Sequence, residues 1–80
     1  MKATVLVRPK HGILDPQGDA VEHSLRKLGF DVSSVRIGRV IDLELDEKDE
    51  DQAREEIGRM CEALLANPLI ESFDVRLERA

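Results

Sequence analysis

The sequence predicts an α+β fold: a two-layer sandwich of element order β-α-β-β-α-β, with two helices on one face of an antiparallel sheet. Three observations point there. Short runs of alternating apolar residues recur four times along the chain. Two longer stretches carry apolar residues at helical spacing, each with its own start and stop signals. No Pro/Gly/Ser-rich linker or low-complexity tract interrupts them, so residues 1–80 read as a single domain.

Residues 3 to 8 form the first strand. Ala3, Val5 and Val7 share one face; Thr4, Leu6 and Arg8 share the other. Pro9 has no N–H to give a ladder and ends regular pairing. Lys10-His11-Gly12-Ile13-Leu14 is a connecting loop. Asp15-Pro16 starts the first helix, because the carboxylate accepts from free first-turn N–H groups and Pro16 sits where a missing N–H costs nothing. Ala20, Val21, Leu25 and Leu28 make its apolar face, and Gly29 is the expected left-handed cap, so the helix spans about Pro16 to Leu28.

Phe30, Val32 and Ser34 alternate in one phase, and Val35 and Ile37 take the opposite one. Ser33-Ser34 therefore marks a bulge or bend within a second strand. Gly38-Arg39 reads as a tight turn or another bulge. Val40, Ile41, Leu43 and Leu45 form the third strand, expected to pair antiparallel with the second. The second helix runs from about Glu50 to Ala66 on the stripe Ala53, Ile57, Met60, Cys61 and Leu64, and Asn67-Pro68 stops it. Phe73, Val75 and Leu77 make the apolar face of the last strand.

Composition excludes several function classes. Twelve Lys+Arg stand against seventeen Asp+Glu, a net charge of −5, and the only aromatic residues are Phe30 and Phe73. Such a chain lacks both the basic footprint and the stacking platforms of a nucleic-acid binder. No apolar run approaches the roughly 18 residues of a membrane span. Met1 to Arg8 reads as a strand rather than a signal peptide, and one cysteine cannot form an internal disulfide, so a cytoplasmic protein is expected. A domain of this size buries only about 60–65% of its unfolded surface, so association with copies of itself or other chains is expected on stability grounds.

Few residues carry chemistry. His11, in a loop, and His23, mid-helix, have no zinc-site spacing and read as surface histidines. Cys61 lies in an apolar helical stripe, not in the electropositive turn a nucleophile needs, and reads as a small buried hydrophobe. Residues 42–51 hold seven acidic side chains and one lysine, but no turn glycine, so they read as a solvated strand face leading into an acidic helix start. Gly12 to Gly18 is no phosphate loop: the Lys-Ser/Thr ending is missing and Asp15 would repel a phosphate. It is a capped helix entry, with a rigid surface knuckle for a partner as its functional reading. Arg8, Arg36 and Arg39 either meet an acidic partner or a phosphate, or form a solvated strand edge; the two readings are level on chemistry alone. No catalytic, cofactor or metal residue is expected, and a binding or assembly module is favoured over an enzyme.

Four strings then carry a resemblance. Gly12-Ile13-Leu14-Asp15-Pro16-Gln17-Gly18, Leu28-Gly29-Phe30, Val35-Arg36-Ile37-Gly38-Arg39 and Leu64-Leu65-Ala66-Asn67-Pro68-Leu69-Ile70-Glu71 closely resemble the PurS family, in order and across nearly the whole chain. The sequence departs from the family where Arg39 replaces a common lysine, Leu69 a common valine, and Ser72-Phe73 a frequent acidic residue and tyrosine. The resemblance implies a non-catalytic subunit of phosphoribosylformylglycinamidine synthase in purine biosynthesis. It would bring PurL, the ATP- and Mg-using synthetase, together with PurQ, the glutaminase, and support ammonia transfer between them. It also implies a homodimer, sometimes paired into a tetramer, with no cofactor of its own. The knuckle and the Arg36–Arg39 turn make Asp15, Gln17, Arg36 and Arg39 the candidate partner contacts. The alternative is a free-standing regulatory domain that binds a small metabolite between paired sheets.

Overall fold

Ala3, Val5 and Val7 project from one face of the first strand and are buried, while Lys2 and Arg8 on the other face are exposed. That alternation seeds the fold. The computed structural model describes residues 1–78. In it the central strand β1 (Lys2–Pro9) pairs antiparallel with β2 (Arg39–Glu44) on one side and β3 (Glu71–Glu78) on the other. The order is β2-β1-β3. Val5 stands opposite both Ile41 and Val75, and Ala3 opposite both Leu43 and Leu77, so three strands contribute to one apolar face. The Met1 ammonium donates to Leu45 O and Leu45 N–H to Met1 O, each at 2.8 Å, which extends the β1–β2 pairing.

Helix α1 spans Pro16–Lys27. Asp15 caps its start, and Gly29, at φ +97°, supplies the left-handed residue after its end. Helix α2 spans Glu50–Met60, with Asp49 Oδ1 accepting from the N–H groups of Asp51 and Gln52. Ala53, Ile57 and Cys61 from this stripe are buried, and Ile57 and Cys61 share one core cluster with Ala3, Val5 and Val7 of β1. The helical path then widens into a π turn over Cys61–Leu65, closed by Ala66 N–H reaching back five residues to Cys61 O at 2.9 Å. The wider turn lets Cys61 and Ala66, five residues apart, both reach the core. Burial pushes the Cys61 thiol up from its ordinary pKa, with the Glu62 charge adding to it. Cys61 is therefore a packing residue, as its place in the stripe predicts.

The α+β class, the antiparallel sheet and the two helices match expectation. Two expected details do not. Among the described residues, 30–37 pair with no strand, and β2 pairs with β1 instead, giving a three-stranded sheet. The physical reason lies in how that segment is held: by side chains rather than by a ladder. Arg26 Nε donates to Val32 O at 3.1 Å, and Ile37 N–H donates to an Asp15 carboxylate oxygen at 2.8 Å. The expected phase change at Ser33-Ser34 appears as a bend at Ser33.

The second difference concerns helix placement. α2 lies on the sheet, and Arg54 ties it to β3 through Val75 O at 3.2 Å. α1 does not pack extensively on any strand. Its apolar face is open instead: Val21 is 39% exposed and Leu28 is 73% exposed. The molecule is accordingly elongated, with extents of 48 × 27 × 14 Å. Ile41 and Leu43 of β2 are only partly buried, since no second helix covers their side of the sheet.

Candidate functional site

The candidate residues cluster at the end of the sheet where β1 runs out and β3 begins. Asp15 organises the knuckle. One carboxylate oxygen accepts from Gly18 N–H at 2.9 Å, the cap that its Asp-Pro sequence predicts. The other accepts from Ile37 N–H at 2.8 Å, 22 residues along the chain. Arg36 Nε lies 3.9 Å from that second oxygen, and Arg36 Nη2 donates to Lys10 O at 2.8 Å. Gly18 leaves room for this approach: a Cβ there would stand 2.3 Å from Val35 O.

Arg39 does parallel work at the sheet's edge. Its guanidinium makes a two-pronged contact with Glu71, at 2.7 and 3.1 Å, and also donates to Leu65 O. Glu71 additionally accepts from Asn67 N–H at 2.7 Å. The start of β2, the end of the π turn and the start of β3 are thereby clamped together. Asp15, Arg36 and Arg39 thus hold this chain's own segments in place. Gln17 is exposed in the first turn of α1, with no side-chain partner among the described residues.

Both carboxylates are held below their ordinary pKa values. For Asp15 the Ile37 N–H contributes most, then Gly18 N–H, with Arg36 adding to them against some desolvation. For Glu71 the Arg39 hydrogen bond leads, followed by Asn67 N–H. A carboxylate whose pKa is lower folded than unfolded stabilises the fold above its unfolded value, and that stability is lost as pH falls through the folded value. With ordinary values of 3.8 and 4.5, stability should be level through neutral pH and fall below about pH 4.5. Thermal midpoints measured from pH 7 to pH 3 should show a shallower acid limb in Asp15→Asn and Glu71→Gln than in the parent chain. An unchanged limb in both variants would refute these assignments.

Beside the knuckle lies an open cleft of about 490 Å³ lined by Arg8, Pro9, Lys10, His11, Arg36 and Ser72. A second hollow, of about 260 Å³, shares Arg8, Pro9 and Arg36 and continues along the outer sheet face past Leu6 and Val40. Lys10 carried no expected role, and His11 reads from the sequence only as a surface histidine. The signal for them is modest: Arg8, Lys10 and His11 crowd around Pro9 in an otherwise acidic chain. Among the described residues, no group of three His, Cys, Asp or Glu side chains could hold a metal ion, and no helix is long and apolar enough to cross a membrane.

A thin α+β layer, an uncovered helix face and candidate polar residues occupied in bracing loops define a class: a small module built to sit against other chains. Comparison with known proteins narrows it. The PurS family model, described as phosphoribosylformylglycinamidine (FGAM) synthase, matches residues 2–79. The PurS subunit of Methanocaldococcus jannaschii is 37% identical over 79 residues, covering 98% of this chain and 95% of that one. The PurS subunit of Bacillus subtilis is 40% identical over 78 residues, covering 96% and 92%. Among solved structures, M. jannaschii PurS superposes with a TM-score of 0.87 at 38% identity, over 99% of this chain and 96% of that one. A chain of the PurLQS structure from Thermotoga maritima gives 0.85 at 34% identity, over 94% and 93%. The chain belongs to the PurS family. The regulatory-domain alternative finds no support among these relatives.

Proposed function

We propose that this chain is the non-catalytic assembly subunit of phosphoribosylformylglycinamidine synthase, a homodimer that brings PurL and PurQ together and supports ammonia transfer between them. The observation that carries this reading is the match over residues 2–79 to a family whose similar members include a chain of a PurLQS structure. ATP and Mg belong to the synthetase in this reading, not to this chain. Proximity is the mechanism. Ammonia released into bulk water is diluted and mostly protonated, whereas transfer inside an assembled complex keeps it concentrated and nucleophilic.

Dimerisation rests on two surfaces of complementary character. Among the described residues, the apolar stripe of α1 has no extensive partner surface and no helix packs extensively on β2. In a two-fold dimer each α1 covers the open side of the other chain's sheet, which satisfies both at once. Gln17 and the Gly12–Gly18 knuckle are the surfaces offered to the larger subunits.

Reconstitution tests the function. Glutamine-dependent product formation by PurL and PurQ should rise many-fold when this chain is added. Amidation by PurL from added ammonium salt should change little. Equal glutamine-dependent rates with and without the chain would refute the reading.

A further inference from the structure

The net charge of −5 makes the cleft at the end of β1 anomalous. Its six lining residues include two arginines, a lysine and a histidine, and no carboxylate. Elsewhere among the described residues four arginines meet acids, Arg26 with Glu22, Arg54 with Glu50, Arg76 with Asp74 and Arg39 with Glu71, while Arg59 on α2 does not. At the cleft the accounting differs. The side chains of Arg8 and His11 have no hydrogen-bond or ion-pair partner among the described residues. Lys10 is tethered rather than neutralised, since Nζ donates to the uncharged Pro68 O at 2.7 Å. Arg36 is fixed by Lys10 O, and its only nearby acid, Asp15, already accepts from two backbone N–H groups. Arg8 and Lys10 are therefore held at the rim of one hollow with no carboxylate in ion-pair contact among the described residues, and Arg36 has Asp15 alone, at 3.9 Å.

We infer that this cleft docks an acidic surface segment of a larger subunit of the complex, with Arg8 and Arg36 receiving its carboxylates. The inference rests on the assembly reading above and names the chemistry of one contact within it. The hollow's second half favours a protein segment over a free anion. The basic cleft opens onto a shelf formed by Leu6 and Val40, which stand opposite each other in the β1–β2 register, and Val40 is 61% exposed. A small phosphate would leave that shelf bare. A segment with carboxylates beside apolar side chains would cover both parts. Planar guanidinium groups suit bidentate carboxylate contact, and such charged contacts steer association.

The test measures binding of this chain to PurL plus PurQ, with glutamine and nucleotide present, across sodium chloride concentrations. Binding by the parent chain should weaken as salt rises. Arg8→Glu should weaken it at least about ten-fold, equivalent to about 1.4 kcal/mol, and flatten the salt dependence. The same reversal at Lys48, an exposed loop residue, should leave it unchanged. Circular dichroism and solution mass establish that each variant keeps the parent fold and oligomer. Parent-like binding by a folded Arg8→Glu overturns the cleft assignment while leaving the assembly reading intact. Failure of the parent chain itself to bind overturns both. If inorganic phosphate protects the parent chain in thermal melts beyond matched ionic strength, and Arg8→Glu abolishes that protection but not subunit binding, the cleft is a free-anion site and the inference fails.

Discussion

Gly38→Ala should lower the thermal midpoint on the order of 10 °C, while Gly58→Ala in the same chain should raise it. At Gly38 a Cβ would stand 2.3 Å from Val7 O, a backbone atom of the central strand. Neither atom can rotate away, because Val7 lies between β2 and β3 and is paired with Arg39 and Phe73. β2 must shift off β1 at this end, which strains the Arg39–Glu71 clamp next to it. Overpacking of this kind costs about 1–3 kcal/mol, and each kcal/mol moves the midpoint of a domain this small by roughly 4–8 °C. Gly58 sits inside α2 with nothing within 4 Å of the added carbon. There alanine only restricts the unfolded chain and should contribute about 0.5–1 kcal/mol of stability. Calorimetry or a circular-dichroism melt at one protein concentration measures both. Equal shifts of the same sign would contradict the close approach of β2 to β1.

Charging the open face of α1 should leave a folded monomer where the proposed dimer would otherwise form. Val21→Glu with Leu28→Glu places two carboxylates on the exposed stripe, next to Phe30, which is itself 59% exposed. Burying side chains of this size stabilises by about 1.5–3 kcal/mol each, so two such losses and two desolvated charges outweigh an ordinary small-dimer interface. The chain's own core remains intact, because neither residue belongs to the cluster of Val5, Val7, Ile57 and Cys61. Sedimentation should report the mass of one chain with helical content retained. Glutamine-dependent synthesis should fall with it. An unchanged dimer mass would exclude α1 from the interface.

What was legible in the sequence was local. Asp15-Pro16, Leu28-Gly29 and Asn67-Pro68 mark element ends because capping and proline sterics act within a few residues. The stripe holding Ala53, Ile57 and Cys61 is visible because one helix presents all three to one surface. Candidate residues were visible by type but not by role. Arg39 is an evident cation; that Glu71, 32 residues away, receives it depends on which strands flank β1. Asp15 is an evident cap; that its second oxygen holds Ile37 depends on how the segment after α1 returns.

The failed expectation of a fourth paired strand follows the same division. Alternation across 30–37 shows that a segment could pair, not what it pairs with. Among the described residues the outer edges of β2 and β3 are open, yet the segment does not lie along either, because Arg26 holds Val32 O and Asp15 holds Ile37 N–H beside α1. The amino-acid order alone therefore determined three of the strands, the two helices and their starts, the buried stripe and the family resemblance. Only the folded arrangement decided the strand order, the exposed face of α1 and the gathering of basic side chains beside Pro9. Those properties depend on distances between residues far apart in the chain, and local preferences do not encode such distances.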